Sequence, residues 1–258
     1  MELNKEIEDL IKYGQVRYLP NLSVDCVIFG YHANHLNVLL SKWKGISLWT
    51  LPGGYVGRSE SIEDAANRVL QERTGLTRLF LEQFFTFGDP LRVKFEKFPS
   101  AVPGLFTSNL FNTPNWTTDR FVSIGYYALV EYSRVDPKPD YLSDECQWWD
   151  IHTLPALIFD HNAMIRKALH AIRLQLKYQP VGYNLLPKKF TLPELQKLYE
   201  TILDRKLDRR NFQKKMMALG ILKRLDERKT IGPHRSPYLY SFDKRQYNKA
   251  MGEGYGFA

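Results

Sequence analysis

The length, composition and charge of this chain exclude several classes of protein. With 258 residues, of which 44% are hydrophobic and 25% charged, it is typical of a globular protein and long enough for two domains. It has no apolar run approaching the ~18 residues of a membrane span, and its charged start is unlike a signal peptide. The two cysteines, Cys26 and Cys146, fit neither a disulfide framework nor a zinc site. We therefore expect a cytoplasmic protein.

The first part of the chain predicts a mixed α/β domain followed by a connecting helix. Residues 2–13 have the pattern of an amphipathic helix, and residues 23–31 and 36–43 alternate as a β-hairpin. A second helix is predicted from Ser61 to about Thr74, because Gly75 is a typical stop signal. The remaining predicted elements are strands at 77–87, 121–132 and 147–151, and a helix capped by Asp160 that runs to about residue 178.

Residues 53–76 resemble the Nudix box, a loop-helix-loop motif. Its pattern is a glycine, five residues, a glutamate, seven residues, and then R-E-U-x-E-E-x-G-U, where U is a bulky aliphatic residue. Every spacing fits, and Gly54, Glu60, Arg68 and Glu72 are in place. Two positions that should be glutamates are instead Val69 and Arg73.

These two substitutions determine the chemistry that we expect from the box. The Nudix resemblance implies helical glutamates that hold divalent cations, and such cations need oxygen ligands. Val69 offers no oxygen, and Arg73 carries a fixed positive charge. We expect a retained scaffold with no catalytic residue, no bound metal and no cofactor. The alternative is a working hydrolase of ADP-ribose or of a sugar nucleotide.

The basic excess of the chain is confined to its last third. The formal net charge is +8; residues 184–258 contain 17 Lys and Arg against 8 Asp and Glu, whereas residues 1–183 contain 19 against 20. Such an asymmetry is typical of a region that meets a polyanion, although a solvated basic surface is the alternative.

The same region has the pattern of a winged helix-turn-helix. Thr191 and Glu194 form a capping box before one helix, and Asp208 caps a second helix that ends before Gly220. Alternating residues 221–225 and 238–242 predict the two strands of a basic wing. We expect the second helix to enter the major groove of DNA. The predicted DNA-binding residues are Thr191, Arg209, Arg210, Asn211, Gln213, Lys214, Lys215, Arg228, Lys229, His234 and Arg235.

Residues 186–200 and 207–212 resemble the C-terminal domain of the Nudix-related transcriptional regulators, and with the box the resemblance covers nearly the whole chain. It implies an α+β protein, a Nudix αβα sandwich followed by a winged helix-turn-helix domain. We place the degenerate Nudix domain at 1–159, a connecting helix and linker at 160–180, and the DNA-binding domain at 181–258. The resemblance also implies a homodimeric repressor that binds operator DNA and a small effector.

Members of this family differ in their effector. One branch senses ADP-ribose or related nucleotides and controls NAD metabolism, and another senses L-arabinose and controls pentose utilisation. The eroded box and a long aromatic segment between Pro90 and Arg120 make this chain look closer to the arabinose branch. Segments of that length can be lids or binding loops, or alternatively a structural flap or dimer contact.

A neutral pentose needs no metal, but it does need hydrogen-bonding side chains and an apolar ring surface. Six residues around the expected cleft offer these groups, although each could instead be structural: Asp25, Lys42, Trp49, Asp89, Tyr126 and Trp148.

Overall fold

The computed structural model describes residues 2–44, 47–77, 81–92, 116–117, 119–140, 142–177, 179–230 and 236–253. The chain forms two compact units. One comprises Met1–Gly30, Asn37–Leu129 and Arg134–Ala168; the other comprises Tyr31–Leu36, Val130–Ser133 and Leu169–Ala258. None of the helices in the described ranges is long and apolar enough to cross a membrane.

A seven-stranded sheet dominates the first unit. Its strand order is β3-β2-β1-β6-β5, while β4 pairs with β1 and β7 pairs with β2. The elements, in chain order, are α1 (Glu2–Arg17), β1 (Tyr18–His32), β2 (His35–Trp43), β3 (Trp49–Thr50), β4 (Gly53–Gly57), α2 (Ile62–Thr74), β5 (Leu81–Phe87), β6 (Val122–Glu131), a 3-10 turn (Tyr132–Arg134), β7 (Ser143–Asp150) and α3 (His161–Gln175).

Local sequence signals account for the element that carries the box. Ser61 caps α2 by accepting a hydrogen bond from the Asp64 N–H at 3.0 Å. Gly75 ends the helix with a φ of 69°, in the left-handed region that favours glycine. The helix buries Ala65, Ala66, Val69 and Leu70, and β4 lies beside it. The box therefore forms the short strand β4, which pairs with the central strand β1, followed by a turn and the helix α2.

Within the described residues, the second unit contains a three-stranded sheet in the order β8-β10-β9 and, besides the end of α3, three further helices. These elements are β8 (Phe190–Thr191), α4 (Leu192–Leu203), α5 (Arg209–Ala218), β9 (Leu222–Arg228), β10 (Tyr238–Phe242) and α6 (Lys244–Glu253). The predicted capping box is present, since the Thr191 hydroxyl accepts from the Glu194 N–H and the Glu194 carboxylate accepts from the Thr191 N–H. Asp208 caps α5 by accepting from the Asn211 N–H at 2.9 Å.

The element order agrees with the sequence-based prediction, but several bounds differ. The helix expected from Asp160 begins at His161 and ends at Gln175, and the strand expected at 147–151 begins at Ser143. The strands β3, β4 and β8 and the helix α6 were not predicted. β3 and β8 have two residues each and therefore no periodicity, β4 lies in the glycine-rich stretch that the box pattern predicts as a loop, and α6 has few apolar residues to mark a buried face. Residues 78–80 of one predicted strand and residues 93–115 of the long segment lie outside the described residues.

Candidate functional site

A cavity of about 480 Å³ lies in the first unit, beside the degenerate box. Its wall combines arginines and carboxylates with aromatic rings and backbone from β3 and β4. The charged lining residues are Arg68, Arg73, Arg92, Asp25, Glu72 and Asp140, and the aromatic ones include Tyr18, Trp43, Tyr55, Phe121 and Phe159. Volume and lining are those of a small-molecule site.

Both glutamates that remain in the box are paired with arginine. Glu60 accepts hydrogen bonds from the Gly57 N–H at 2.6 Å and from Arg68 Nη2 at 2.8 Å. The hydrogen bond from Arg68 lowers the pKa of the Glu60 carboxyl below its usual value, with a further contribution from the Gly57 N–H. Arg68 Nη1 also lies 3.6 Å from the Glu72 carboxylate, one helical turn away.

The two substituted positions are built into the fold. Val69 is fully buried on the inner face of the box helix α2. Arg73 is 5% exposed and forms an ion pair with Asp140, whose carboxylate also accepts from the Leu142 N–H at 3.0 Å. The Nudix fold implies a divalent cation here, but the donor set does not fit one. Glu60 is hydrogen-bonded to Arg68, and Glu72 lies 3.6 and 3.9 Å from the guanidinium groups of Arg68 and Arg73. The guanidinium of Arg73 would also repel a cation.

The floor of the cavity is a buried cluster of polar side chains. The Asp25 carboxylate accepts a hydrogen bond from the Ser123 hydroxyl through Oδ2 and lies 4.0 Å from Arg92 Nη2. Arg92 donates to both oxygens of Asp160, at 2.8 and 3.0 Å. His161 begins α3, and its Nδ1 accepts from the Leu51 N–H at 3.0 Å. Because Nδ1 accepts this hydrogen bond, the ring carries its proton on Nε2. Burial lowers the pKa of His161 below its usual value.

Of the six predicted effector-binding residues, the structure places only Asp25 in the cavity wall. Lys42 pairs with Glu145 on the neighbouring strand, and Asp89 accepts from the Leu91 N–H. The other three lie elsewhere in the first unit: Trp49 packs edge-on against Trp149, Tyr126 is buried on β6, and Trp148 lies against Gly30. Aromatic side chains on alternating strands pack in the core more often than they contact a ligand, which explains why Trp49, Tyr126 and Trp148 lie outside the cavity wall.

Sequence reasoning missed His161, Arg92 and Asp140 as cavity residues. His161 stands next to the expected helix cap Asp160, and Arg92 is at the start of the long segment, but neither belongs to a motif with fixed spacing. The fold brings together distant chain positions, such as Asp25 and His161, which are 136 residues apart.

In the second unit, α5 presents a basic face and buries the opposite one. Phe212 and Met216 are buried, and Gln213 is half-buried. Among the predicted DNA-binding residues of this helix, those exposed are Arg209, Arg210, Asn211, Lys214 and Lys215. Thr191 is buried at the cap of α4, so its hydroxyl is engaged with Glu194. The exposed surface is suited to phosphate and base contacts.

The strands after α5 place further cations at the predicted wing. Arg228 lies over the Tyr238 ring at 3.9 Å and donates to the Ser236 carbonyl at 2.9 Å. Lys229 forms an ion pair with Glu194. His234 and Arg235, also predicted to bind DNA, lie outside the described residues.

Comparisons with known proteins match two family models to the chain. A model of the NUDIX domain matches residues 19–171, and a model of the NrtR DNA-binding winged helix domain matches residues 182–242. The chain is also 27% identical over 236 residues to an ADPR responsive transcriptional repressor, NtrR, of Acinetobacter baylyi. That alignment covers 89% of this chain and 84% of the relative.

Two solved structures resemble this one over most of its length. Shewanella oneidensis NrtR complexed with a 27mer DNA has a TM-score of 0.69 and 26% identity, covering 88% of this chain and 95% of that one. A MutT/nudix family protein from Enterococcus faecalis has a TM-score of 0.63 and 24% identity, covering 93% and 96%, and shows the fold alone. Together with the family models, these similarities confirm the predicted order of a Nudix domain followed by a winged helix domain.

Proposed function

We propose, from the premise that this chain belongs to the NUDIX domain family and ends in an NrtR-type winged helix, that it is a DNA-binding transcriptional repressor. Its NUDIX domain binds a small effector and does not hydrolyse it. The observation that carries this proposal is the exposed basic face of α5, which stands over the buried side chains Phe212 and Met216. The first 183 residues of the chain have no basic excess, so the cations are concentrated in the region that contains α5. Solvation of a helix alone does not require such a concentration, whereas binding to DNA does.

Charge removal on α5 tests the DNA-binding part. A binding site would first be selected from random duplexes, and affinity would then be measured against salt concentration. We expect Lys214→Ala and Arg210→Ala to weaken binding by about 10-fold or more and to lower the salt slope by about 1 for each phosphate that the variant no longer neutralises. Arg166→Ala, which removes an exposed arginine from α3 in the first unit, is the matched control. Wild-type affinity in both α5 variants would reject α5 as the recognition helix.

ADP-ribose is the effector that we propose. The relative from Acinetobacter baylyi is described as ADPR responsive, and a cavity of about 480 Å³ is large for a single pentose. Arg68, Arg73 and Arg92 line it, and guanidinium groups are the usual partners of a diphosphate.

A pentose such as L-arabinose is the second candidate, and one observation favours it. Each of the three arginines already faces a carboxylate: Arg68 pairs with Glu60, Arg73 with Asp140, and Arg92 with Asp160. The lining is therefore close to neutral, which suits an uncharged sugar. Calorimetric titration of the metal-free protein with ADP-ribose and with L-arabinose separates the two candidates.

Catalysis is not expected, because the groups that would hold a metal are paired with arginine. Incubation with ADP-ribose and Mg²⁺ or Mn²⁺ should yield no AMP above the rate without protein. Metal-dependent release of AMP, abolished in Glu72→Gln, would instead support a hydrolase.

We further propose that two copies bind operator DNA together, since helix-turn-helix regulators engage half-sites about one helical turn apart. The effector releases DNA only if it binds the DNA-free arrangement more tightly than the DNA-bound one. Light scattering after gel filtration, with and without the selected duplex, measures the number of copies.

A further inference from the structure

The floor of the cavity contains a donor and an acceptor that face each other without bonding. His161 Nε2 and Asp25 Oδ1 are 3.9 Å apart, which is too long for a hydrogen bond. Their roles are fixed by other contacts. The Leu51 N–H occupies His161 Nδ1, so Nε2 is the donor, and the Ser123 hydroxyl bonds to Asp25 Oδ2, so Oδ1 is turned toward the imidazole.

We propose that this pair is a subsite for a sugar hydroxyl of the effector. The hydroxyl oxygen accepts the His161 Nε2 proton and donates its own proton to Asp25 Oδ1. An oxygen about 2.8 Å from both atoms would lie about 2 Å to the side of the line that joins them. A hydroxyl can fill this position because it is both a donor and an acceptor, whereas a phosphate oxygen could only accept and would be repelled by the Asp25 carboxylate.

The surrounding side chains hold the pair in this arrangement. Asp25 and His161 are both nearly buried, with side chains 12% and 4% exposed. Arg92, also 4% exposed, stands 4.0 Å from Asp25 and is held by Asp160. Gly53 lies so close that a Cβ at that position would be 2.4 Å from Asp25 Oδ1. These contacts fix both side chains before the ligand binds, which lowers the entropic cost of binding.

The subsite rests on the proposed effector-binding function, and it is compatible with both candidate effectors. The hydroxyl comes either from the terminal ribose of ADP-ribose or from a free pentose. ADP lacks that terminal ribose and should not use the subsite.

The test compares two variants with the wild-type protein, using ADP-ribose, ADP and L-arabinose as ligands in calorimetry. Asp25→Asn preserves the shape but removes the charge of the acceptor. His161→Asn can still accept from the Leu51 N–H but removes the Nε2 donor. Asp144→Asn and His152→Asn make the same chemical changes at exposed positions and are the matched controls.

We expect Asp25→Asn to weaken binding of the sugar ligand by about 10- to 100-fold, the effect of one hydrogen bond to a charged group, and His161→Asn to weaken it by about 2- to 10-fold, the effect of one hydrogen bond between neutral groups. If the variants bind ADP-ribose more weakly but bind ADP with unchanged affinity, the hydroxyl belongs to the terminal ribose. An equal loss of affinity for L-arabinose assigns the hydroxyl to a free pentose. Unchanged affinity for both sugar ligands, equal losses for ADP and ADP-ribose, or binding of no ligand by the wild-type protein would overturn the subsite. Binding of the selected duplex by the same samples reports separately on the regulator function.

Discussion

The ion pair between Arg73 and Asp140 should stabilise the NUDIX domain at one of the two box positions that lack a glutamate. The side chains are 5% and 16% exposed, and Asp140 also accepts from the Leu142 N–H and the Ser143 hydroxyl. Replacing Arg73 by methionine leaves this carboxylate without its cation. Breaking a buried ion pair lowers the free energy of unfolding by about 3–5 kcal/mol. Because the Asp140 carboxylate keeps two hydrogen bonds, we expect a smaller loss of about 2–3 kcal/mol.

Differential scanning calorimetry measures the effect directly. For a domain of this size, about 2–3 kcal/mol corresponds to a fall in Tm of roughly 4–12 °C. Arg166→Met, at an exposed position of α3, should change Tm by less than about 2 °C. A double-mutant cycle with Asp140→Asn should give a coupling of about 1.5 kcal/mol or more, because the neutral amide no longer needs the guanidinium.

The same position tests the chemistry of the box. Arg73→Glu restores a family glutamate, yet it places a second carboxylate against Asp140 and leaves Val69 without an oxygen. We expect a lower Tm than for Arg73→Met and no metal-dependent hydrolysis. An unchanged Tm in Arg73→Met would show that the ion pair does not stabilise the domain, and new Mg²⁺-dependent hydrolysis in Arg73→Glu would show that the box can still hold a catalytic metal.

Three further predictions follow from particular contacts. Thr191→Ala removes the capping box of α4 and should destabilise the winged helix by about 1 kcal/mol, seen in calorimetry as a lower transition for that domain only. Gly53→Ala should displace the Asp25 side chain and therefore weaken the binding of ADP-ribose or L-arabinose, as measured by titration. A circular dichroism spectrum of an unfolded protein would contradict this local effect. Because the Arg68 hydrogen bond lowers the pKa of Glu60, the stability that it contributes is present above the ordinary value of 4.5 and is lost as the pH falls through the lowered value in the folded protein. Urea unfolding from pH 7 to pH 3 should therefore show a smaller acid-side loss in Glu60→Gln than in the wild-type protein.

Much of the fold could be predicted because its signals are local. Apolar spacing predicted a helix from Ser61 to about Thr74 with Gly75 as its stop signal, and the structure has this helix at Ile62–Thr74, with Ser61 as its N-cap and Gly75 as its C-cap. The turn between β1 and β2 lies at Ala33 and Asn34, both with positive φ, as the hairpin pattern indicated. These features depend on neighbouring residues, so one sequence is sufficient to recognise them.

The cavity could not be predicted in the same way, because its residues come together only in the tertiary structure. Asp25 was anticipated, but its partners Arg92 and His161 follow 67 and 136 residues later. Trp49 and Tyr126 were predicted to contact the sugar, but both are buried in the core. A strand pattern does not show which side of a sheet borders a cavity.

The most direct test of a metal-independent, effector-controlled repressor is binding of the selected duplex by the full chain, titrated with ADP-ribose in the presence of a chelator. We expect ADP-ribose to release the DNA without metal and no AMP to form in the same samples. Failure of the wild-type protein to bind any duplex, or effector binding that requires a divalent cation and ends in hydrolysis, would contradict it.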